Sequence, residues 1–120
     1  MPEVLFVSHD PDLRAAATRV LMMAGCRVTV AAHAGHASLA CIEHGFDVVF
    51  IEDRMADVSG DAIAGRLRRN CPDAQVVRMC DTRPVTEGDE ITVVRPFTAD
   101  DLIGAVSDAT HYARRRATIR

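Results

Sequence analysis

The sequence predicts an α/β domain: a parallel sheet of five strands with helices on both faces. Three observations carry that expectation. Short β-branched or aromatic runs alternate with segments of helical apolar spacing, and the order β-α-β-α-β-α-β…β-α leads to a parallel sheet. One run, Val48-Val49-Phe50-Ile51, is apolar without a break, as a strand covered on both faces must be. The length, 120 residues, fits one domain.

The elements follow in order. Residues 3–7, EVLFV, are a strand, and the SHDPD that follows breaks it. Asp10 is placed to cap a helix and Pro11 to occupy its first turn. Leu13, Ala16, Ala17, Val20, Leu21 and Ala24 recur at helical spacing, and Gly25 ends that helix. CRVTVAA is a second strand. Residues 34–44 form a second helix with Ala37, Leu39, Ala40 and Cys41 on or near its apolar side, closed by Gly45. FDVVFI is the third strand. Asp61 to Asn70 is a helix with Ile63, Ala64 and Leu67 inward and Arg66, Arg68 and Arg69 outward. A fourth strand is expected at about 74–80 and a fifth within EITVVRPF. Thr98 caps a last helix over Ala99 to Ala113, after which ARRRATIR trails off as a basic end. The expected division is a domain over residues 1–112 and a basic tail over 113–120.

Composition excludes several functions. Aromatic residues are 4% with no Trp, too few for a base-stacking surface. The net charge is −3, so nothing draws the whole domain to nucleic acid. No apolar run approaches a membrane span and no signal-peptide pattern opens the chain, so no membrane partner is expected. Cys26, Cys41, Cys71 and Cys80 lack a C-x-x-C pair and read as reduced thiols of a cytoplasmic protein. Their spacing with His33, His36 and His44 matches no zinc pattern, so no metal or other cofactor is expected. Met22, Met23 and Met55 are expected as packing residues.

In a parallel sheet, ligands sit beyond the carboxyl ends of the strands. The residues leaving those ends are Ser8 and His9, Glu52 and Asp53, Met79 and Cys80, and Arg95 and Pro96. LFVSHDPDLR, FDVVFIEDRMADVSG and VVRPF, in this order, resemble the receiver domains of two-component response regulators. The resemblance spans residues 3 to about 112. It implies a flavodoxin-like fold with strand order 2-1-3-4-5 and a cis peptide before Pro96. It implies an Asp after the third strand that accepts a phosphoryl group from a histidine kinase. It also implies two acids after the first strand that hold Mg²⁺, a hydroxyl after the fourth strand and a Lys after the fifth.

The chain departs from that pattern at each position. Glu52 stands at the phosphoacceptor position, Ser8 and His9 replace the acid pair, Met79 stands at the hydroxyl position and Arg95 at the lysine position. Asp10 is the surviving acid, displaced by one residue and placed to cap the helix. Mg²⁺ needs hard oxygen ligands in octahedral geometry, and imidazole serves it poorly. Glu52 supplies one charge where a phosphoryl group adds nearly two. An ion pair between Glu52 and Arg95 would satisfy both groups. Asp53 alternates to another face and belongs to the loop or rim. Only Asp81 to Glu90 separate the last two strands, too few for a full crossover helix, so the family's fourth helix is expected short or missing.

The expectation is therefore a stand-alone, atypical receiver domain with no catalytic residue. It would act by contact with a signalling protein, a histidine kinase or another regulator, without the phosphorylation switch. A homodimer is left open. Two alternatives are a phosphorylatable regulator using Glu52 or Asp53, and a ligand or metal sensor using His9, Met79 and Cys80 as soft groups.

Overall fold

A computed structural model describes residues 1–52, 54–55, 58–81 and 91–119; of residues 54–55, 58–61 and 112–119 it describes the backbone path only. Five strands form one parallel sheet: β1 (Glu3–Val7), β2 (Arg27–Ala31), β3 (Val48–Glu52), β4 (Gln75–Cys80) and β5 (Ile91–Val94). Their spatial order is 2-1-3-4-5. Four helices are described: α1 (Pro11–Met23), α2 (Ala34–Glu43), α3 (Gly60–Asn70) and α4 (Ala99–Ile119). This is the flavodoxin-like, doubly wound arrangement that the sequence predicts. Arg54–Met55 and Val58–Ser59 add a small antiparallel ladder after β3 that the sequence did not signal. Residues 82–90, where the shortened fourth helix is expected, lie outside the described residues.

Strand alternation divides the core in two. Leu5, Val7, Val49 and Ile51 face Ala37 and Cys41 of α2 and Ile63, Ala64 and Leu67 of α3. Val4, Phe6, Val48, Phe50, Val77, Met79 and Val93 face Ala17 and Leu21 of α1 and Leu102, Ala105, Val106 and Ala109 of α4. All five residues of β3 are buried, which explains its unbroken apolar run and makes its terminal Glu52 exceptional. Phe6 and Phe50 touch across β1 and β3 with ring centres 5.4 Å apart.

Local chemistry sets the helix boundaries. Asp10 caps α1, its Oδ1 accepting from the Asp12 and Leu13 amides at 3.0 and 3.3 Å, with Pro11 at the first position. Gly25, at φ +90°, turns the chain away from α1 into β2. Thr98 and Asp101 cap α4 reciprocally: Thr98 Oγ1 accepts from the Asp101 amide and Asp101 Oδ2 from the Thr98 amide.

Three expectations change. Met22 and Met23 are 59% and 84% exposed rather than packed, because the buried stripe of α1 is Ala17–Leu21 and the helix ends beside them. Leu39 is likewise exposed, since α2 buries Ala37 and Cys41 and Leu39 points away from that stripe. The last helix does not end near Ala113; α4 continues to Ile119, so the backbone of the basic stretch is helical. The side chain of Met55 lies outside the described residues.

Candidate functional site

Three of the strand ends converge on one carboxylate. Glu52 closes β3 and is 2% exposed. A buried carboxylate must be paired and hydrogen-bonded to be tolerated. Arg95, just past β5, donates from Nη2 to Glu52 Oε1 at 2.5 Å. His9, just past β1, approaches Oε2 with Nδ1 at 2.5 Å and with its backbone N–H at 3.4 Å. Both carboxylate oxygens are therefore engaged, one by a charge-assisted bond from each neighbouring loop. Arg95 also reaches Asp81 at the end of β4, with Nη1 at 3.2 Å from Oδ1. Its guanidinium carbon lies 5.9 Å from the Phe97 ring centre, within the range of a cation–π contact. The Arg95–Pro96 peptide is cis.

The other expected site residues divide into two groups. Ser8 is fully buried and its groups serve the local backbone: Oγ accepts from the Asp10 amide at 3.1 Å and the carbonyl accepts from Arg14 Nη1 at 2.7 Å. Asp10 spends Oδ1 on the α1 cap and stands outside the Glu52 network. Met79 pairs in register with Glu52 on one side and Val93 on the other, and its side chain is sealed in the α1/α4 core cluster. It therefore extends the hydrophobic wall next to the carboxylate and presents no open surface. Asp53 lies outside the described residues.

Sequence reasoning found the Glu52–Arg95 pair and missed two partners. Asp81 is the first residue after β4, and only the sheet order brings it to Arg95. His9 draws attention in the sequence only for its suitability to a metal or ligand, whereas the structure makes it a donor to Glu52. The remaining chemistry-bearing residues are apart from this set. His33 caps α2, accepting from the His36 amide at 3.4 Å, and its ring stacks on that of His36 at 3.8 Å. All four cysteines are buried thiols. Burial raises the Cys26 thiol, and burial together with the neighbouring Cys71 pushes Cys41 up to about 12, which suits inert packing thiols. Among the described residues no group of three or more His, Cys, Asp or Glu could hold a metal ion, and no helix is long and apolar enough to cross a membrane.

The Mg²⁺ that the sequence resemblance implies does not fit the oxygens described here. Octahedral Mg²⁺ needs free carboxylate oxygens. Glu52 has both of its oxygens engaged, Asp10 spends Oδ1 on the α1 cap and stands outside the Glu52 network, and the Ser8 hydroxyl is held in a turn.

No protein-family model matches the chain, and no curated protein matches it significantly. Solved structures do. The chain is similar to a CheY-like response regulator receiver domain protein from Methanospirillum hungatei, with a TM-score of 0.86 at 15% identity over 97% of this chain and 98% of that one. It is similar to the chemotaxis protein CheY4 of Vibrio cholerae, with a TM-score of 0.82 at 19% identity over 91% and 98%. It is also similar to the response regulator TrrA of Thermotoga maritima in complex with Mg²⁺ and BeF, with a TM-score of 0.77 at 23% identity over 91% and 99%. At these identities the likeness is one of fold.

Proposed function

We propose that the chain is an atypical receiver domain that transmits signals in the cytoplasm by contact with a histidine kinase or another regulator. On this reading it catalyses no reaction and undergoes no Mg²⁺-dependent aspartyl phosphorylation. One observation carries the reading: Glu52, at the position where the sequence resemblance implies a phosphoacceptor, is buried and has its oxygens held by Arg95 and His9. In phosphoryl transfer, a metal ion and a cation neutralise charge on the moving group. Here the cation is already committed, to Glu52 and to Asp81. A carboxylate in this setting is a fixed anion inside a fixed cationic cradle. The domain would then present one standing surface to its partner, where a phosphorylated domain alternates between two. The likeness of fold to receiver domains supports the class.

The test is acetyl phosphate with Mg²⁺, read by intact mass. Wild-type protein is expected to gain no mass, and Glu52→Asp alone to gain none, because the acid pair is still missing. Gain of mass is expected once Glu52→Asp is joined by Ser8→Asp or His9→Asp, and more with Arg95→Lys, whose compact ammonium replaces the fork. Mg²⁺-dependent modification of Glu52 or Asp53 in the wild type would sink the proposal.

A further inference from the structure

β2 closes one edge of the sheet, and no strand among the described residues pairs with its outer side. Its inner side is bonded at both ends: the Arg27 amide donates to the Pro2 carbonyl, and the Ala31 carbonyl accepts from the Ser8 amide. Backbone groups alternate along a strand, so Arg27, Thr29 and Ala31 bond inward to β1. The N–H and C=O groups of Val28 and Val30 therefore point out of the sheet along an open edge. A charged side chain is the usual guard of such an edge. Here Arg27 is drawn back to Glu3 of β1, with Nη1 at 3.3 Å from Oε1.

Beside this edge runs a groove of about 580 Å³ between α1 and β2. Val30, 47% exposed, gives it an apolar wall together with Ala15 and Met22, and Arg14 and Arg19 complete the lining. Val28 packs on the α1/α4 layer of the core, and Val30, two residues on, projects to the same side. Asp12, the acid in the first turn of α1, does not line the groove. Arg14 donates one N–H to the Ser8 carbonyl. Neither Arg14 nor Arg19 meets an acid among the described residues. The groove is thus apolar and cationic on a chain whose net charge is −3.

We propose that the edge of β2 takes up an extended, acidic segment of a partner protein as a further strand. The main chain of the segment bonds to Val28 and Val30. Its groove-side residues place apolar side chains against Val30 and Met22 and carboxylates on Arg14 and Arg19. Strand addition divides the work in this way: main-chain bonds hold the segment, and alternate side chains enter the groove and select it. Charge complementarity chooses the occupant. A basic segment would meet two arginines. A second copy paired edge to edge would bring both grooves and their arginines onto one seam, like charge against like. The arginines face solvent, so the attraction weakens as salt rises. The inference rests on the proposal that the domain acts by contact with a signalling protein, and it gives that contact a place. None of the residues it uses bonds to Glu52.

The experiment titrates the full chain into dye-labelled synthetic peptides, followed by fluorescence polarisation at low and high salt. The first peptide has Thr at every other position and, between them, Val or Ile in turn with Asp or Glu. A second is the same peptide with N-methylated amides, which removes its main-chain donors. A third carries Lys in place of the acids. The first is expected to bind and to weaken with salt, and the other two to bind at least about tenfold more weakly. On binding, hydrogen exchange at the Val28 and Val30 amides is expected to slow, while the Thr29 amide, already bonded to β1, stays as it was. Val30→Asp and Arg19→Glu, both at exposed positions, are expected to weaken binding about tenfold and about fivefold. Circular dichroism confirms that each variant is folded. An acidic peptide that does not bind at millimolar concentration and low salt overturns the proposal. So does equal binding by the N-methylated or the Lys peptide, binding that leaves Val28 and Val30 exchange unchanged, or binding that survives both substitutions. Each of these outcomes leaves the acetyl phosphate result standing, so a failure here is told apart from a failure of the functional reading.

Discussion

Asp10 and Glu52 are both acids near the carboxyl end of the sheet, and they are satisfied in opposite ways. Asp10 is exposed and accepts from Asp12 and Leu13, two and three residues along its own chain. Glu52 is buried and accepts from His9 and Arg95, each 43 residues away. The first arrangement forms wherever a helix starts. The second exists only when β1, β3 and β5 are aligned. Asp10 thus stabilises an element, whereas Glu52 reports that the whole sheet is assembled.

The sharpest way to break this comparison is to remove one partner of the buried pair. Arg95→Ala is expected to destabilise by about 3 kcal/mol, since it leaves a buried carboxylate with only its His9 contacts. Urea denaturation followed by circular dichroism measures it. Glu52→Leu with Arg95→Met is expected to recover most of that loss, because an apolar pair of similar volume replaces the ions. A double variant as unstable as Arg95→Ala would mean that the pair is needed for packing and not merely tolerated. Next in size is Asp10→Ala, expected to cost about 1 kcal/mol through the lost cap. Its effect should add to that of Arg95→Ala, because the two networks share no bond. Smallest is His9→Ala. Its side chain is 69% exposed, and a contact this open to solvent contributes about 0.5 kcal/mol. A loss as large as that of Arg95→Ala would make His9 an equal partner of the carboxylate.

The same contrast explains what the sequence disclosed. Local rules sufficed for the Asp10 cap, the Thr98 cap, the Gly25 turn and the apolar run of β3, and with the order of elements they give the sheet topology. The receiver-like pieces placed Glu52 and Arg95 at corresponding strand ends, so their pairing was also legible. Asp81 was not, because nothing in its neighbourhood marks it before β4 and β5 lie side by side. His9 was judged by its suitability for a metal, whereas burial of Glu52 makes any nearby N–H a partner. Met22, Met23 and Leu39 misled because hydrophobicity alone does not say which residues fall off a helix's buried stripe. The length of α4 was cut short because three consecutive arginines read as a solvated end, although Arg is a good helix former at the negative end of the dipole.

One consequence of the divided core concerns mechanics. Glu52 continues the Val48–Phe50 row of β3, and Met79 beside it belongs to the same layer as Val93, Leu102 and Val106. The layer holding α2 and α3 is reached from the other rows of the strands. Close-packed interiors transmit displacement through touching atoms. Beyond its hydrogen bonds to His9 and Arg95, a disturbance at the carboxylate therefore reaches the α1/α4 layer more directly than the α2/α3 layer. Methyl spectra of Glu52→Gln are expected to shift at Leu102 and Val106 while Ile63 and Leu67 stay in place. The carboxylate and the long last helix share one mechanical compartment.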